Sequence, residues 1–335
     1  MSKEKRGRRW RRALPAGLCL AGGVCDASQV AFLGDKTWGD ADGMRHTDQQ
    51  IFDATFGMIR RARKLVLLDM FLYNDFQRGK PETNRLLSSE LTDTLLHQKH
   101  AYPDITIAVI TDPINTVYGA LHSAKFVQLI DAGITVVITD LSRLRDSNPS
   151  YSFFWRLLIR PLGNSQRGFL PNPFDPGGKA TLRSYLALLN YTANNRMVLI
   201  TDDGDELVGL VSSANAQDAS SAHANAAIRF TGPAAEDLLA AENAVLKLSG
   251  EEPLRLPVAT LGQSPGVSAQ ILTEQAIKTE ALHIIEQAKS GERIDLATFY
   301  LSDRDIIGAL KRAKREGVRM RVLLDPNKDA FGHRK

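Results

Sequence analysis

Apolar residues follow two different periodicities along the chain from residue 49 onward. Segments with apolar residues three or four positions apart predict helices, and short apolar runs between them predict strands. The predicted helices cover residues 49–63, 86–99, 121–132, 179–188, 233–247, 273–289 and 303–316. The predicted strands cover residues 65–71, 105–110, 135–138, 226–230, 294–299 and 320–324. Because helices and strands alternate, the sequence predicts an α/β fold in which helices cover both faces of a sheet.

A further pair of strands is predicted within residues 190–215. Two apolar runs, at 197–201 and 208–211, flank an acidic turn and predict a β-hairpin. Small polar residues precede the first run and follow the second: Asn194, Asn195, Ser213 and Asn215. Both groups fall at the same end of the hairpin, where their amides and hydroxyls could hold a polar or anionic group.

This hairpin resembles the signature of the phospholipase D superfamily, which reads H-x-K-x-x-x-x-D followed by G-S-x-N. When the two are aligned on Asp202, the histidine position falls on Asn195 and the lysine position falls on Met197. In the later part of the signature, Ser213 and Asn215 match the family pattern. The frame of the signature is therefore present, whereas its histidine and its lysine are replaced.

The resemblance covers the chain from about residue 14 to the end and is closest to the bacterial phospholipase D-like and cardiolipin synthase-like proteins. It implies two α/β halves that share a cleft, to which each half contributes one histidine and one lysine. One histidine attacks phosphorus and forms a phosphohistidine, and the other protonates the leaving oxygen. Lysines and asparagines hold the phosphate oxygens, and no metal or organic cofactor is required. The implied substrate is a phospholipid or another phosphodiester.

The two replacements change what this site is expected to do. Asn195 can hydrogen-bond a phosphate but cannot form the covalent intermediate, and Met197 carries no charge. Loss of a covalent nucleophile lowers turnover by about a million-fold, and loss of one charge-stabilising donor lowers it by roughly a further hundred-fold. The chain is therefore expected to be a catalytically impaired member. The expected site combines the catalytic positions with three phosphate-binding residues: Asn195, Met197 and Asp202, with Asn194, Ser213 and Asn215.

His223 leaves an active phosphodiesterase open as an alternative. It follows Asn215 along the chain and could supply the missing imidazole, as could a partner subunit. A lone histidine at the start of a strand is more often structural, and both expected half-sites are defective. The favoured interpretation is therefore an inactive member, either a phosphate- or lipid-binding remnant or the product of a truncated gene. A phospholipase D-type nuclease is a third hypothesis, and it predicts strong binding of nucleic acid.

The order of elements repeats along the chain. A helix, a strand, a second helix and a second strand occur over residues 49–112 and again over residues 273–325. The last strand is followed by Asp-Pro in both cases, at Asp112 and at Asp325. The repeat predicts internal duplication.

The two predicted copies differ in completeness. The expected architecture is a phospholipase D-like sandwich with one complete half, residues 31–250, and one partial half, residues 267–335. A second signature would lie beyond Lys335, so the partial half is expected to expose an apolar sheet edge and to promote self-association.

Charge is concentrated at the N-terminus. Residues 1–12 carry a net charge of +6 against +4 for the whole chain, so the remainder is close to −2. This balance makes a general nucleic-acid surface unlikely to be the function of the folded part. Residues 1–30 are expected to be flexible and to contact an anionic membrane surface, and the expected location is cytoplasmic or at the inner membrane face. An export signal is the less favoured alternative.

Composition adds two exclusions. Apolar content of 43% and charged content of 24% are ordinary for a soluble globular protein. Both cysteines, Cys19 and Cys25, lie close together with no histidine cluster nearby, so neither a disulfide framework nor a zinc site is expected.

Residues 153–162 read FFWRLLIRPL and combine aromatic and aliphatic side chains with two arginines. This run could lie at a lipid interface, with its arginines meeting headgroups. Packing against the sheet accounts for the same pattern, and we favour a position in the core or in a cleft wall.

Overall fold

The computed structural model describes residues 18–77, 83–165, 167–255 and 267–325. The chain forms two compact units. The first contains Met1–Leu18 and Gly23–Ile271, and the second contains Cys19–Gly22 and Leu272–Lys335.

The described residues form helices at seven predicted places and one more: α1 (Gln50–Arg61), α2 (Leu87–Ala101), α3 (Ala124–Asp131), α4 (Pro149–Phe154), α5 (Leu182–Leu188), α6 (Pro233–Leu248), α7 (Gln275–Gln287) and α8 (Arg304–Arg315). They also form these strands: β1 (Cys25–Gly39), β2 (Arg45–Gln49), β3 (Leu65–Met70), β4 (Tyr73–Asn74), β5 (Thr106–Thr111), β6 (Thr135–Ile138), β7 (Leu170–Pro171), β8 (Lys179–Ala180), β9 (Met197–Asp203), β10 (Glu206–Ser212), β11 (Ala216–Gln217), β12 (Asn225–Thr231), β13 (Val267–Ala269), β14 (Arg293–Thr298) and β15 (Arg319–Leu324).

The first unit is built on a mixed sheet, which among the described residues has the order β13-β1-β12-β10-β9-β3-β5-β6, with β2 paired to β1. β3, β5 and β6 run parallel, because α2 and α3 connect them as crossovers. β9 pairs antiparallel with β3 and forms the predicted hairpin with β10. The predicted α/β fold class is confirmed.

Helices cover both faces of this sheet, as the alternation along β10 shows. Val208 and Leu210 face the core that α1 and α2 cover. Gly209 faces the other side, where a Cβ atom would lie 3.0 Å from Phe230 and 3.1 Å from Leu238 of α6. A glycine at this position therefore permits the close approach of α6 to the sheet.

The first strand is not among the predicted strands. Residues 25–30 were expected to be flexible, but they begin β1, which pairs with β12 and β13. Ala27 is fully buried in this arrangement. The expectation for residues 1–17 lies outside the described residues. Because β13 pairs with β1, residues 267–269 belong to the first unit, and the second unit begins at Leu272 rather than at residue 267.

The second unit contains α7, β14, α8 and β15, and its two strands pair in parallel. The same order of elements occurs in α1, β3, α2 and β5, where the strands are also parallel. Internal duplication agrees with this order and remains a prediction. Phe299 and Leu323 are exposed on this unit, while the predicted self-association remains untested.

Residues 153–162 do not pack into the core, but Trp155, Arg156 and Arg160 line a cavity, which agrees with the cleft-wall part of the favoured interpretation. α4 continues through a π-helical turn, Trp155–Ile159, and a 3₁₀ turn, Arg160–Leu162. The apolar side chains of one face are exposed, from 57% for Phe154 to 82% for Leu162. Apolar residues occur on both faces of this helical segment, so only one face can pack on the protein.

Candidate functional site

The candidate site lies at the edge of the main sheet where β3, β5 and β6 end and β9 begins. Met70 at the end of β3 pairs with Thr111 of β5 and with Met197 of β9. At the same edge β10 ends at Ser212 and β12 begins at Asn225. We call this the site edge.

The two replaced signature positions lie at the site edge and have different surroundings. Asn195 precedes β9 and is exposed, and its side chain makes no hydrogen bond to the described residues. Met197 is half-buried and packs against the apolar core beneath α1. The thioether therefore has surroundings that suit an apolar side chain and would disfavour a lysine ammonium.

The loop after β10 crosses the site edge and brings the later part of the signature to the earlier part. Asn215 Oδ1 accepts a hydrogen bond from the Leu72 backbone N–H at 2.9 Å. The Ala216 N–H points to Met70 Sδ at 3.4 Å. Because Met70 is the cross-strand partner of Met197, this loop lies next to the start of β9.

Ser213 and His223 lie farther along the same edge. Ser213 Oγ accepts from the Ala226 N–H at 3.0 Å and contacts Asn225 Oδ1 at 3.2 Å. His223 is exposed just before β12. Since β10 lies between β9 and β12, the strand that follows His223 is about 10 Å from the strand that follows Asn195.

Asn194 is buried, and its side-chain amide is engaged within the protein. Its Nδ2 donates to both carboxylate oxygens of Asp69, at 3.0 and 2.8 Å, and to Thr139 Oγ1 at 3.1 Å. Its backbone N–H donates to Asp112 Oδ2 at 2.8 Å. These bonds fix the segment that carries Asn195, and in this arrangement the amide donors of Asn194 are not directed at a ligand.

A buried cluster of charges that the sequence analysis missed lies behind Asn194. Arg196 Nη1 donates to Glu242 Oε1 of α6 at 3.1 Å. Burial, followed by the charge of Glu242, raises the pKa of the fully buried Asp69 well above its ordinary value. Glu242 Oε2 is buried and has no hydrogen-bond partner among the described residues. A single acid within the apolar run LVLLDM was the available signal.

Asp112 is a second buried acid at the site edge. Its Oδ1 accepts from the Ile114 N–H at 2.8 Å, and its Oδ2 accepts from Asn194. Burial raises the pKa of Asp112 from 3.8 to about 6, although these two backbone N–H groups act to lower it. The nearby Asn115 side chain accepts from the Tyr73 N–H at 2.8 Å and so holds the loop after β3.

Asp202 lies at the opposite edge of the sheet, which we call the hairpin edge because it contains the β9–β10 turn. Its carboxylate accepts backbone N–H groups from Arg63 at 3.1 Å, Lys64 at 2.9 Å and Leu65 at 2.7 Å. The part of β9 from Met197 to Asp202 spans about 17 Å. Asp202 therefore does not contact a group bound at the site edge, and its position supports a structural role instead of the expected catalytic one.

A cavity of about 200 Å³ opens beside the site edge. Thr139, which accepts from Asn194, lies in its wall, and so do three arginines: Arg156, Arg160 and Arg183. Within the described ranges, no three His, Cys, Asp or Glu side chains converge as a metal site would require. The helices formed by those residues are all too short or too polar to cross a membrane.

Residues 281–335 match the family model described as "Cardiolipin synthase, PLD-like domain", and this segment lies in the second unit. A search of curated proteins found no match. Solved structures similar to this chain include Nuc, a phospholipase D family member from Salmonella typhimurium, with 11% identity and a TM-score of 0.33, over 63% of this chain and 90% of that chain.

Phosphatidylserine synthase from Haemophilus influenzae Rd KW20 is also similar, with 12% identity and a TM-score of 0.48, over 91% of this chain. The alignment spans 63% of the length of that synthase. Polyphosphate kinase from Porphyromonas gingivalis aligns at 11% identity and a TM-score of 0.41, over 88% of this chain and 34% of that chain. Residues 281–335 are therefore similar in sequence to the PLD-like domain that this family model describes.

Proposed function

We propose that the site edge binds a phosphodiester, with phospholipids as the substrate class, and that this chain turns it over poorly or not at all. One observation supports the proposal: Asn195 and Met197 lie at the start of β9, at the same edge of the sheet where Asn215 accepts the Leu72 N–H. This arrangement agrees with a signature that lacks its nucleophile.

Two amides supply the binding chemistry. Asn215 Oδ1 is held by the Leu72 N–H, which leaves its Nδ2 as a donor without a partner among the described residues. The exposed amide of Asn195 is the second donor. A hydrogen bond from a neutral amide to a charged phosphate oxygen contributes about 1.5–3 kcal/mol, so two such donors can bind a phosphodiester without any covalent step.

The chemical step lacks its main groups at these positions. An amide nitrogen is not a nucleophile towards phosphorus, and the thioether of Met197 cannot neutralise charge on a transferring phosphoryl group. The combined loss is on the order of a million-fold or more. Binding without turnover is the consequence.

The proposal is tested by binding and turnover of a short-chain phosphatidylglycerol kept below its micelle concentration. Wild-type protein should bind it without measurable hydrolysis, and Asn195→Ala or Asn215→Ala should each weaken binding about ten-fold. Gln128→Ala removes an exposed amide from α3 and should leave binding unchanged. Equal affinities of wild type and both site variants would refute the proposed site.

His223 supports a second candidate function, an active phosphodiesterase, because its imidazole is exposed at the site edge. This candidate predicts turnover by the wild-type chain that His223→Ala abolishes. The favoured proposal predicts that hydrolysis stays at the background rate in both proteins.

A further inference from the structure

The exposed face of residues 153–162 is apolar in a regular pattern. Phe153, Phe154, Leu157, Leu158 and Leu162 are all more than half exposed. They recur at intervals of about four residues, so they lie on one side of the helical segment. A contiguous set of large exposed apolar side chains marks an interaction surface more often than chance exposure does.

The other face of the same segment lines the arginine-containing cavity. Trp155 lies in the cavity wall, and the Arg183 guanidinium from α5 stacks on its ring at 5.1 Å. Arg183 Nη2 also donates to the Arg160 carbonyl at 3.2 Å. The helical segment and α5 therefore hold two guanidinium groups next to the apolar face.

The charges of the cavity are only partly balanced. Arg156 forms a bidentate pair with Asp146, with both N–O distances at 2.6 Å. Asp140 accepts from the Ser142 backbone N–H at 3.0 Å. Burial and the positive charge of Arg160 lower the pKa of Arg183, and the Arg183 Nε is buried with no acceptor among the described residues. An anion in the cavity would balance the positive charge of Arg160 next to Arg183 and could accept a hydrogen bond from the Arg183 Nε.

We propose that residues 153–162 dock this protein on an anionic phospholipid bilayer, with the apolar face in the headgroup–acyl boundary and a lipid phosphate bound by Arg160 and Arg183. Apolar side chains next to cationic ones are what an interfacial helix needs to bind such a surface. Guanidinium groups bind phosphate through paired hydrogen bonds.

Charge complementarity favours a bilayer over a second copy of the chain. A two-fold dimer through this face would bring the same arginine-containing cavity from each copy towards the other. An anionic lipid surface meets the same charges with opposite sign. The docking surface does not include Asn195, Met197, Ser213 or Asn215, so it stands independently of the proposed function.

Vesicle co-sedimentation of the full chain tests the proposal. The protein should bind phosphatidylcholine vesicles that contain phosphatidylglycerol, and bind pure phosphatidylcholine vesicles more weakly. Leu157→Glu combined with Leu158→Glu should weaken binding to the anionic vesicles about ten-fold or more. Val127→Glu combined with Ile130→Glu changes an exposed apolar pair on α3 and should leave binding unchanged.

The arginine variant isolates the headgroup contact. Arg160→Gln combined with Arg183→Gln should lower the preference for anionic over neutral vesicles about five- to ten-fold, while binding to pure phosphatidylcholine vesicles stays the same. Thermal unfolding of each variant checks that the fold is kept. An unchanged preference for anionic vesicles would overturn the assignment of the cavity.

Three further outcomes would overturn the proposal. Absence of vesicle binding by the wild-type chain is the first. Binding that survives the Leu157→Glu and Leu158→Glu changes is the second, because it would assign the membrane contact to the basic N-terminus. The third is a dimer that those two changes dissociate, because it would assign the surface to a second copy.

Discussion

The hairpin edge and the site edge of the main sheet carry opposite ends of the segment that resembles the signature, and their buried carboxyl groups affect stability in opposite ways. At the hairpin edge, Asp202 accepts three backbone N–H groups and so stabilises the start of β3. At the site edge, burial raises the pKa of Asp112 and of Asp69, so ionising either one opposes folding.

This difference shows how a match to only some residues of a signature should be interpreted. Asp202 has a structural role here, because it accepts the backbone N–H groups that lead into β3. Asn195 and Met197 occupy the positions where the resemblance expects the histidine and the lysine. A matching aspartate therefore supports the fold, while activity has to be argued from the site edge.

Asp202→Ala should have the largest effect on stability. It leaves the buried N–H groups after α1 without their acceptor, so the free energy of unfolding should fall by about 3–5 kcal/mol in urea titrations. Asp205→Asn in the same turn changes an exposed carboxylate and should shift stability by less than about 0.5 kcal/mol. Equal losses of stability in the two variants would contradict the structural role of Asp202 at the hairpin edge.

The pH dependence of stability should expose the opposite behaviour of Asp112. Between pH 3.8 and about 6 the folded protein binds more protons at this group than the unfolded chain does. The stabilisation that this proton gives is therefore complete below pH 3.8 and is lost as the pH rises through about 6. The free energy of unfolding should fall by about 3 kcal/mol over this range.

Asp112→Asn should remove that part of the decrease. In urea unfolding at several pH values, the free energy of unfolding of the wild type minus that of the variant should fall as the pH rises from 4 to 6.5. The raised pKa of Asp69 acts in the same direction and is retained in the variant. Parallel pH profiles would contradict the assignment to Asp112.

Restoring the family lysine should destabilise the protein by a smaller amount. Met197→Lys places an ammonium against the apolar core beneath α1, and we expect a loss of about 1–2 kcal/mol in the free energy of unfolding. Met44→Lys is the matched control at an exposed methionine and should be near neutral. No loss for Met197→Lys would show that the site edge still accommodates a lysine.

Asn195→His should have the smallest effect, less than about 0.5 kcal/mol on unfolding, because Asn195 is exposed and has no bonded partner among the described residues. Chemical denaturation of this variant beside wild type gives the measurement. A larger loss would mean that the amide has a structural role at the site edge.

Much of the fold follows from local pattern. The strand predicted at residues 135–138 coincides with β6, and the helix predicted from Pro233 begins there, since proline suits the first turn. β1 was missed because its pattern is inverted: Phe32 is exposed, whereas Asp35 is buried and accepts the Ile51 N–H at the start of α1. Periodicity alone cannot show that a buried aspartate caps a distant helix.

The candidate site, like the fold, could be predicted from the sequence only in part. Asn195, Met197, Ser213 and Asn215 gather because one hairpin brings them together, and a local pattern contains that information. The bonds of Asn194 to Asp69 and Thr139, and of Arg196 to Glu242, join segments far apart in sequence. Only tertiary packing brings those residues together, so a local pattern does not show the partners of Asn194 or the buried acids beside it.

Covalent labelling tests most directly whether the site edge has lost its nucleophile. The wild-type chain is incubated with a phosphatidyl substrate radiolabelled at phosphorus, quenched in alkali, where phosphohistidine survives, and analysed for label on the protein. We predict no protein-bound label and hydrolysis at the background rate. Label on a histidine, lost in His223→Ala, would show that another imidazole has replaced the one missing at Asn195.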